Sequence, residues 1–258
     1  MTNPLAGSDP QDALLDYLPK ALILGRYSAA SGQELTSGKF TSPESSAALA
    51  ANAFGLFANR PELLTLPSPA LAPGGARMVL LEAQMRFPWK GGLHPWLDAE
   101  VETDTALIGI ESKRYEPFRD RKNVEFSPAY DQSVWGDAMA PFEAMRDALR
   151  NGRSFRFLDA AQLVKHAFGL RTQAVRRGRK AVLCYLYAEP KAYPDGRPVP
   201  PADVERHREE LAAFAAEVNT GSCEVDFCSL RYADLLAHWA AAPGLQHHAS
   251  ALAGRFDV

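Results

Sequence analysis

The chain has 258 residues, of which 47% are hydrophobic and 23% charged, with a formal net charge of -3. It can bury a large core, but it has no global basic field that would advertise nucleic acid, so any such binding must rest on local patches. No apolar run approaches the roughly 20 residues needed to span a bilayer, and a polar, acidic N-terminus replaces the basic and then apolar pattern of a signal peptide, so a soluble cytoplasmic protein is expected. Cys184, Cys223 and Cys228 neither make a disulfide framework nor show the paired spacing of a zinc site.

Residues 1–41 read as an irregular N-terminal arm, with a short apolar stretch broken by Pro19. Residues 42–258 read as a single domain. Ser42 as cap and Pro43 at the first helical position predict a helix from Pro43 to Asn59. Met78 to Phe87 has strand character and is followed by turn residues at Trp89-Lys90-Gly91-Gly92. Two further strands are expected at Trp96 to Thr103 and Ala106 to Ser112, joined by a tight turn at Asp104-Thr105. Helices are expected over Trp135 to Arg150 and Asp159 to Phe168, the second stopped by Gly169. The continuous apolar run Ala181 to Pro190 is the best candidate for the centre of the sheet. Pro200-Pro201 then opens a long helix, and a short strand (Glu224 to Ser229) and a last helix (Arg231 to Ala241) complete the order. The fold class is α/β, with a mixed central sheet flanked by helices.

The two strands around Asp104-Thr105 carry the chemistry. Leu97, Ala99 and Val101 should share an apolar face with Ala106, Ile108 and Ile110, which leaves Asp98, Glu100, Glu102, Glu111 and Lys113 on the other face. With a two-residue loop, Thr103 pairs with Ala106, and continuing that register places Asp98 opposite Glu111. Directly opposed side chains have Cβ atoms about 4.5 to 5.5 Å apart. Carboxylates that close repel each other unless a cation or a proton intervenes. A hard divalent ion such as Mg2+ resolves the conflict with oxygen ligands, and Lys113 is placed to orient a water or to stabilise charge on phosphorus. Gly109 leaves room for an approaching backbone. A three-residue loop would shift the register by one and put Asp98 on the wrong face. A solvated charged strand face gives the same alternation.

Asp98 followed by Glu111-Ser112-Lys113 resembles the signature of the PD-(D/E)XK nuclease superfamily, the restriction-endonuclease-like fold. The segments SSAALAANAFG, LIGIESKRYE, LDAAQLVKHAFGL and VLCYLYAEP are similar to those of a little-characterised branch of it. The resemblance implies an αβββαβ core over about residues 42–190, with 191–258 as an extension. It implies a Mg2+- or Mn2+-dependent endodeoxyribonuclease in which Asp98, Glu111 and the Ser112 carbonyl bind metal and Lys113 serves the water. Glu44 is a candidate further ligand on the first helix, with Glu82 as its rival, and Glu100 is either a ligand or a neighbour. Gln162 is the expected supporting residue on the helix after the third strand, on a stripe with Lys165 and His166 that a solvent-facing surface would also explain; His166 is left outside catalysis.

Nucleic acid, in particular DNA, is the expected partner, and a double-strand cut by one such site favours a homodimer. The alternative is a vestigial nuclease fold that binds nucleic acid or a protein. The basic cluster Arg171, Arg176, Arg177, Arg179 and Lys180 would either track a nucleic-acid backbone or solubilise a loop. His94 is within reach of a phosphate or incidental. No GxSxG elbow, HEXXH motif or P-loop is present.

Overall fold

In the computed structural model, residues 9–30, 33–67 and 75–258 are described; part of the Pro-rich connector after Leu66 lies outside them. Five strands form one mixed sheet in the order β1 (Met78–Gln84), β2 (Trp96–Glu102), β3 (Ala106–Lys113), β4 (Lys180–Tyr187), β5 (Val225–Arg231). β1, β2 and β3 are antiparallel to one another, whereas β4 and β5 run parallel to β3. The middle strand is therefore β3 rather than the apolar run of β4, which lies between β3 and β5. β3 is buried along nearly its whole length although it ends in Glu-Ser-Lys. Those polar groups need partners inside the protein, and they find them at the C-terminal end of the strand.

Eight α-helices are found among the described residues. One face of the sheet is covered by α1 (Lys20–Ala29), α2 (Ser46–Gly55), α7 (Tyr232–Ala241) and α8 (Gln246–Phe256), with Phe54, Trp239 and Leu252 in the layer between. The other face is covered by α4 (Ala140–Arg150), α5 (Ala160–Arg177) and α6 (Pro201–Val218), around Trp135, Phe142, Phe168 and Phe214. A single turn, α3 (Glu116–Arg119), follows β3.

Several boundaries differ from the sequence expectation for physical reasons. The segment expected to be irregular contains α1, and Leu14, Ile23, Tyr27 and Phe40 are buried in the core. α2 is capped by Ser45, whose hydroxyl accepts from the Ala48 amide, so Glu44 precedes the helix. Its run of small residues lets it lie close to the sheet, and buried Asn52 accepts from the Leu15 amide and donates to the Ala13 carbonyl, tying the N-terminal segment down. α5 does not stop at Gly169. A Cβ there would meet Cβ of Met85 at 2.7 Å and its carbonyl oxygen at 2.9 Å, so this glycine permits a close approach inside the helix. The helix ends at Gly178, in the left-handed conformation (φ +63°) suited to a glycine stop. α8 is an additional helix beyond the expected last one.

Candidate active site

The hairpin has the register that a two-residue loop dictates. Val101 pairs with Ile108 and Ala99 with Ile110, and the Thr103 amide donates to the Ala106 carbonyl at the turn. In an antiparallel ladder the pairs that exchange both amide bonds recur every second residue, so Leu97 and Ser112 should form the next one. The β2–β3 ladder instead stops at Ala99 and Ile110, and the Ser112 amide donates to Asp98 Oδ2 at 2.7 Å. The strands fork at that point and the Asp98 carboxylate fills the fork.

The irregularity continues into the neighbouring strand. Glu82 in β1 has φ +49°, which is rare for a residue with a side chain. Leu81 and Ala99 pack on one side of the sheet, while Ala83 and Leu97 pack on the other, so the alternation is interrupted in both strands at the same level. Leu97 therefore does not share a face with Ala99 and Val101 as strict alternation predicts. It lies over Gly109, and the space beside that glycine is filled by the side chains of Leu97 and Leu170 rather than by a backbone. The interruption is a bulge-like irregularity, a feature common beside active sites.

Glu111 follows Gly109 on the face that α5 covers. Its Oε1 accepts from Lys113 Nζ, and His166 Nδ1 of α5 lies 3.2 Å from its Oε2. Burial alone would raise the Glu111 carboxyl, but Lys113 and His166 outweigh it and hold the group down at about 2. Asp98 moves the other way. Desolvation and then the charge of Glu111 push its carboxyl well above the usual range, with Glu82 adding to the push, against the opposing influence of Lys113 and the Ser112 amide. Glu82 is itself raised to about 7 by burial and by the charges of Glu34 and Glu111. For Lys113, burial disfavours the charge, but Glu111, Glu116 and Asp98 overcome it and raise the ammonium above its normal value.

Three carboxyl groups that repel one another beside one lysine form a donor set that a hard divalent cation would relieve. Strand residues point their N–H and C=O to the same side, so the Ser112 carbonyl looks into the fork together with its amide. No group of three or more His, Cys, Asp or Glu side chains poised around one cation position is found among the described residues. The set fits a magnesium-type ion, which commonly takes one or two carboxylates and keeps several waters.

The remaining candidates are placed differently. Glu44 is ion-paired with Arg119 outside α2. Glu100 is buried against α5, 2.6 Å from Arg177 Nη1, and braces the sheet. Glu82 is thus the rival that the structure brings to Asp98 and Glu111. Gln162 lies one turn before His166 on the same stripe and is half-buried, and no hydrogen bond of its side chain is found among the described residues. That stripe does not face solvent at His166, which is 3% exposed.

His94 is buried and accepts from the Phe87 amide, bracing the β1–β2 loop. The basic cluster is largely occupied by internal pairings: Arg171 with Glu224, Arg177 with Glu100 and Glu102, Arg179 with Glu102, and Lys180 with Asp226, while Arg176 donates to the Phe87 carbonyl.

Sequence reasoning missed four neighbours of the site. Helical periodicity groups His166 with Gln162 at i, i+4 on one polar face, and gives no sign that this face meets Glu111. Glu116 accepts from the Ser46 hydroxyl and the Arg114 amide and lies near Lys113. Tyr232 shares a hydrogen bond of 2.7 Å with the Ser112 hydroxyl, and Tyr27 sits near Glu82 and Asp98 while donating to the Ala47 carbonyl. No local motif marks these three.

A family model described as Restriction Endonuclease associating with ARP matches residues 24–256. No curated protein and no solved structure matches the chain. Its mixed five-stranded sheet with the αβββαβ order is consistent with the restriction-endonuclease-like fold.

Proposed function

Since this chain belongs to the family of restriction endonucleases associating with ARP, we propose that it is a divalent-metal-dependent nuclease that hydrolyses phosphodiester bonds of DNA. The observation that carries this reading is the fork itself, where the Asp98 carboxylate accepts from the Ser112 amide while the flanking residues Glu111 and Lys113 pair with each other. Asp98, Glu111 and the Ser112 carbonyl would hold Mg2+ or Mn2+, with the Glu82 carboxyl close enough to sense their charge and to act on the ion through its bound water. When bound, the ion would activate a water as nucleophile and screen the anionic phosphate.

The chain's own groups supply the rest. Lys113 is the most solvent-accessible member of its pair with Glu111, its side chain 17% exposed against 3%. Its ammonium can therefore leave Glu111 for a phosphate oxygen, where it stabilises the charge that develops in the transition state. Asp98 stays fixed by the Ser112 amide. Gln162 supports the site from the turn before His166. Cleavage of both strands by one such site per chain favours a homodimer, and association with an ARP, as the family description has it, is part of the proposal.

The test is incubation of the protein with plasmid, linear and single-stranded DNA, with and without Mn2+, beside Lys113→Ala. Metal-dependent cutting that the variant loses supports the reading. Metal-independent behaviour without cutting, together with retained DNA binding, would favour a vestigial fold used for binding.

A further inference from the structure

The Glu111 carboxylate is held from both sides by side chains of very different freedom. Lys113 meets Oε1 from two residues along the same strand, on a flexible stem that reaches solvent. His166 meets Oε2 from α5, and its ring is 3% exposed. α5 is fixed against the β1–β2 loop by the close approach of Gly169 to Met85. Nδ1 of His166 is buried, lies 3.2 Å from Glu111 Oε2 and makes no hydrogen bond among the described residues. At that separation a small ring rotation closes a hydrogen bond to the carboxylate.

A carboxylate that ligates a cation through one oxygen is commonly oriented by a hydrogen bond to the other, and the orienting residue matters nearly as much as the ligand. Resting on the nuclease reading above, we infer that His166 is the positioning residue for Glu111. It holds Oε2 in place, so that Oε1, the oxygen Lys113 occupies, is the one offered to the metal. The two neighbours of Glu111 then have opposite effects on metal binding. Lys113 is a competitor that the metal displaces, and His166 is a support that stays.

Mn2+ titration of the full chain, followed by electron paramagnetic resonance of the free ion and by calorimetry, tests this without reference to activity. His166→Ala should weaken Mn2+ binding about 10- to 100-fold. His166→Gln, whose side-chain amide can still donate to Oε2, should recover part of the loss. Lys113→Met should bind Mn2+ as tightly as the wild type or more tightly. Circular dichroism confirms the fold of each variant, and if His166→Ala does not fold, His166→Gln against the wild type carries the comparison.

Binding by the His166 variants equal to or tighter than the wild type, with loss in Asp98→Asn and Glu111→Gln, overturns the role of His166 and leaves the nuclease reading intact. If Asp98→Asn and Glu111→Gln also bind Mn2+ normally, the nuclease reading falls as well.

Discussion

Asp98 and Glu111 meet at the fork between β2 and β3 with their acidities displaced in opposite directions, Asp98 upward and Glu111 downward to about 2. Glu111 has Lys113 and His166 to stabilise its charge; Asp98 has the Ser112 amide but is crowded by Glu111 and Glu82. Replacing the two carboxylates by their amides should therefore have opposite effects on the metal-free protein. Asp98→Asn removes a repulsive charge and should raise stability by about 1 kcal/mol, the range of single relieving substitutions. Glu111→Gln strips the half-buried Lys113 of its counter-charge and should cost about 2 kcal/mol, less than breaking a fully buried pair. Urea unfolding in the presence of a chelator measures both, and a loss of stability in Asp98→Asn would contradict the assignment of repulsion.

The Glu82 carboxyl, raised to about 7, makes any cation bound at the fork sensitive to neutral pH. A raised acid is protonated in the folded state at pH values where the unfolded chain has already lost the proton. Its contribution to the stability of the metal-free protein is therefore present below about pH 4.5 and is lost as pH rises through 7. The proton also competes with metal below that value. Mn2+ affinity should climb between pH 6 and pH 8 in the wild type and change less in Glu82→Gln. Identical pH profiles for the two proteins would remove Glu82 from the site.

Much of the architecture was legible in the sequence because strong local signals agreed with the final packing. The turn at Asp104-Thr105 and the apolar alternation on either side made the hairpin register legible as far as Ala99 and Ile110; the expected pairing of Asp98 with Glu111 lies beyond the end of that ladder, where the strands fork. The fork was not legible, because it comes with a positive φ at Glu82, a residue type that gives no sign of that conformation. Gly169 was misread for a related reason. A glycine late in a helical pattern signals either a stop or a close contact, and the contact partner, Met85, is remote in sequence. The helix expected to begin at Pro43, and so to carry Glu44, begins in the structure only at Ser46. His166 illustrates the limit of helical periodicity, which groups residues by face but leaves open what the face meets.

Gly169→Ala offers a direct check on how α5 carries His166 to the site. The added methyl would collide with the Cβ and carbonyl of Met85, so the helix or the loop must give way. A cost of about 1 to 3 kcal/mol is expected from overpacking of this kind. Mn2+ binding should weaken along with stability, since His166 lies one turn before the contact. An unchanged melting temperature would show that the helix has slack there.

Burial and the positive charges of Lys122 and Arg208 lower His207 to about 4 against the opposing pull of Glu189; Phe118, Tyr185 and Tyr187 surround the ring, and Nε2 shares a hydrogen bond with the Tyr185 hydroxyl. A histidine with a lowered value stays neutral in the fold while the unfolded chain takes up a proton. Stability should therefore drop as pH falls from about 6.5 towards 4, by up to about 3 kcal/mol. His207→Phe should flatten that part of the pH–stability curve, whatever it does to the absolute value. A curve with the wild-type slope would assign the acid sensitivity to other groups.

Whether Asp98, Glu111 and Lys113 cut DNA with a divalent metal is decided by the cleavage rate of plasmid DNA in Mn2+, wild type against Lys113→Ala. Metal-dependent cutting by the wild type is expected, with a loss of about 10²- to 10³-fold or more in the folded variant, the scale of removing one transition-state charge partner. Cutting at the wild-type rate by Lys113→Ala would contradict it.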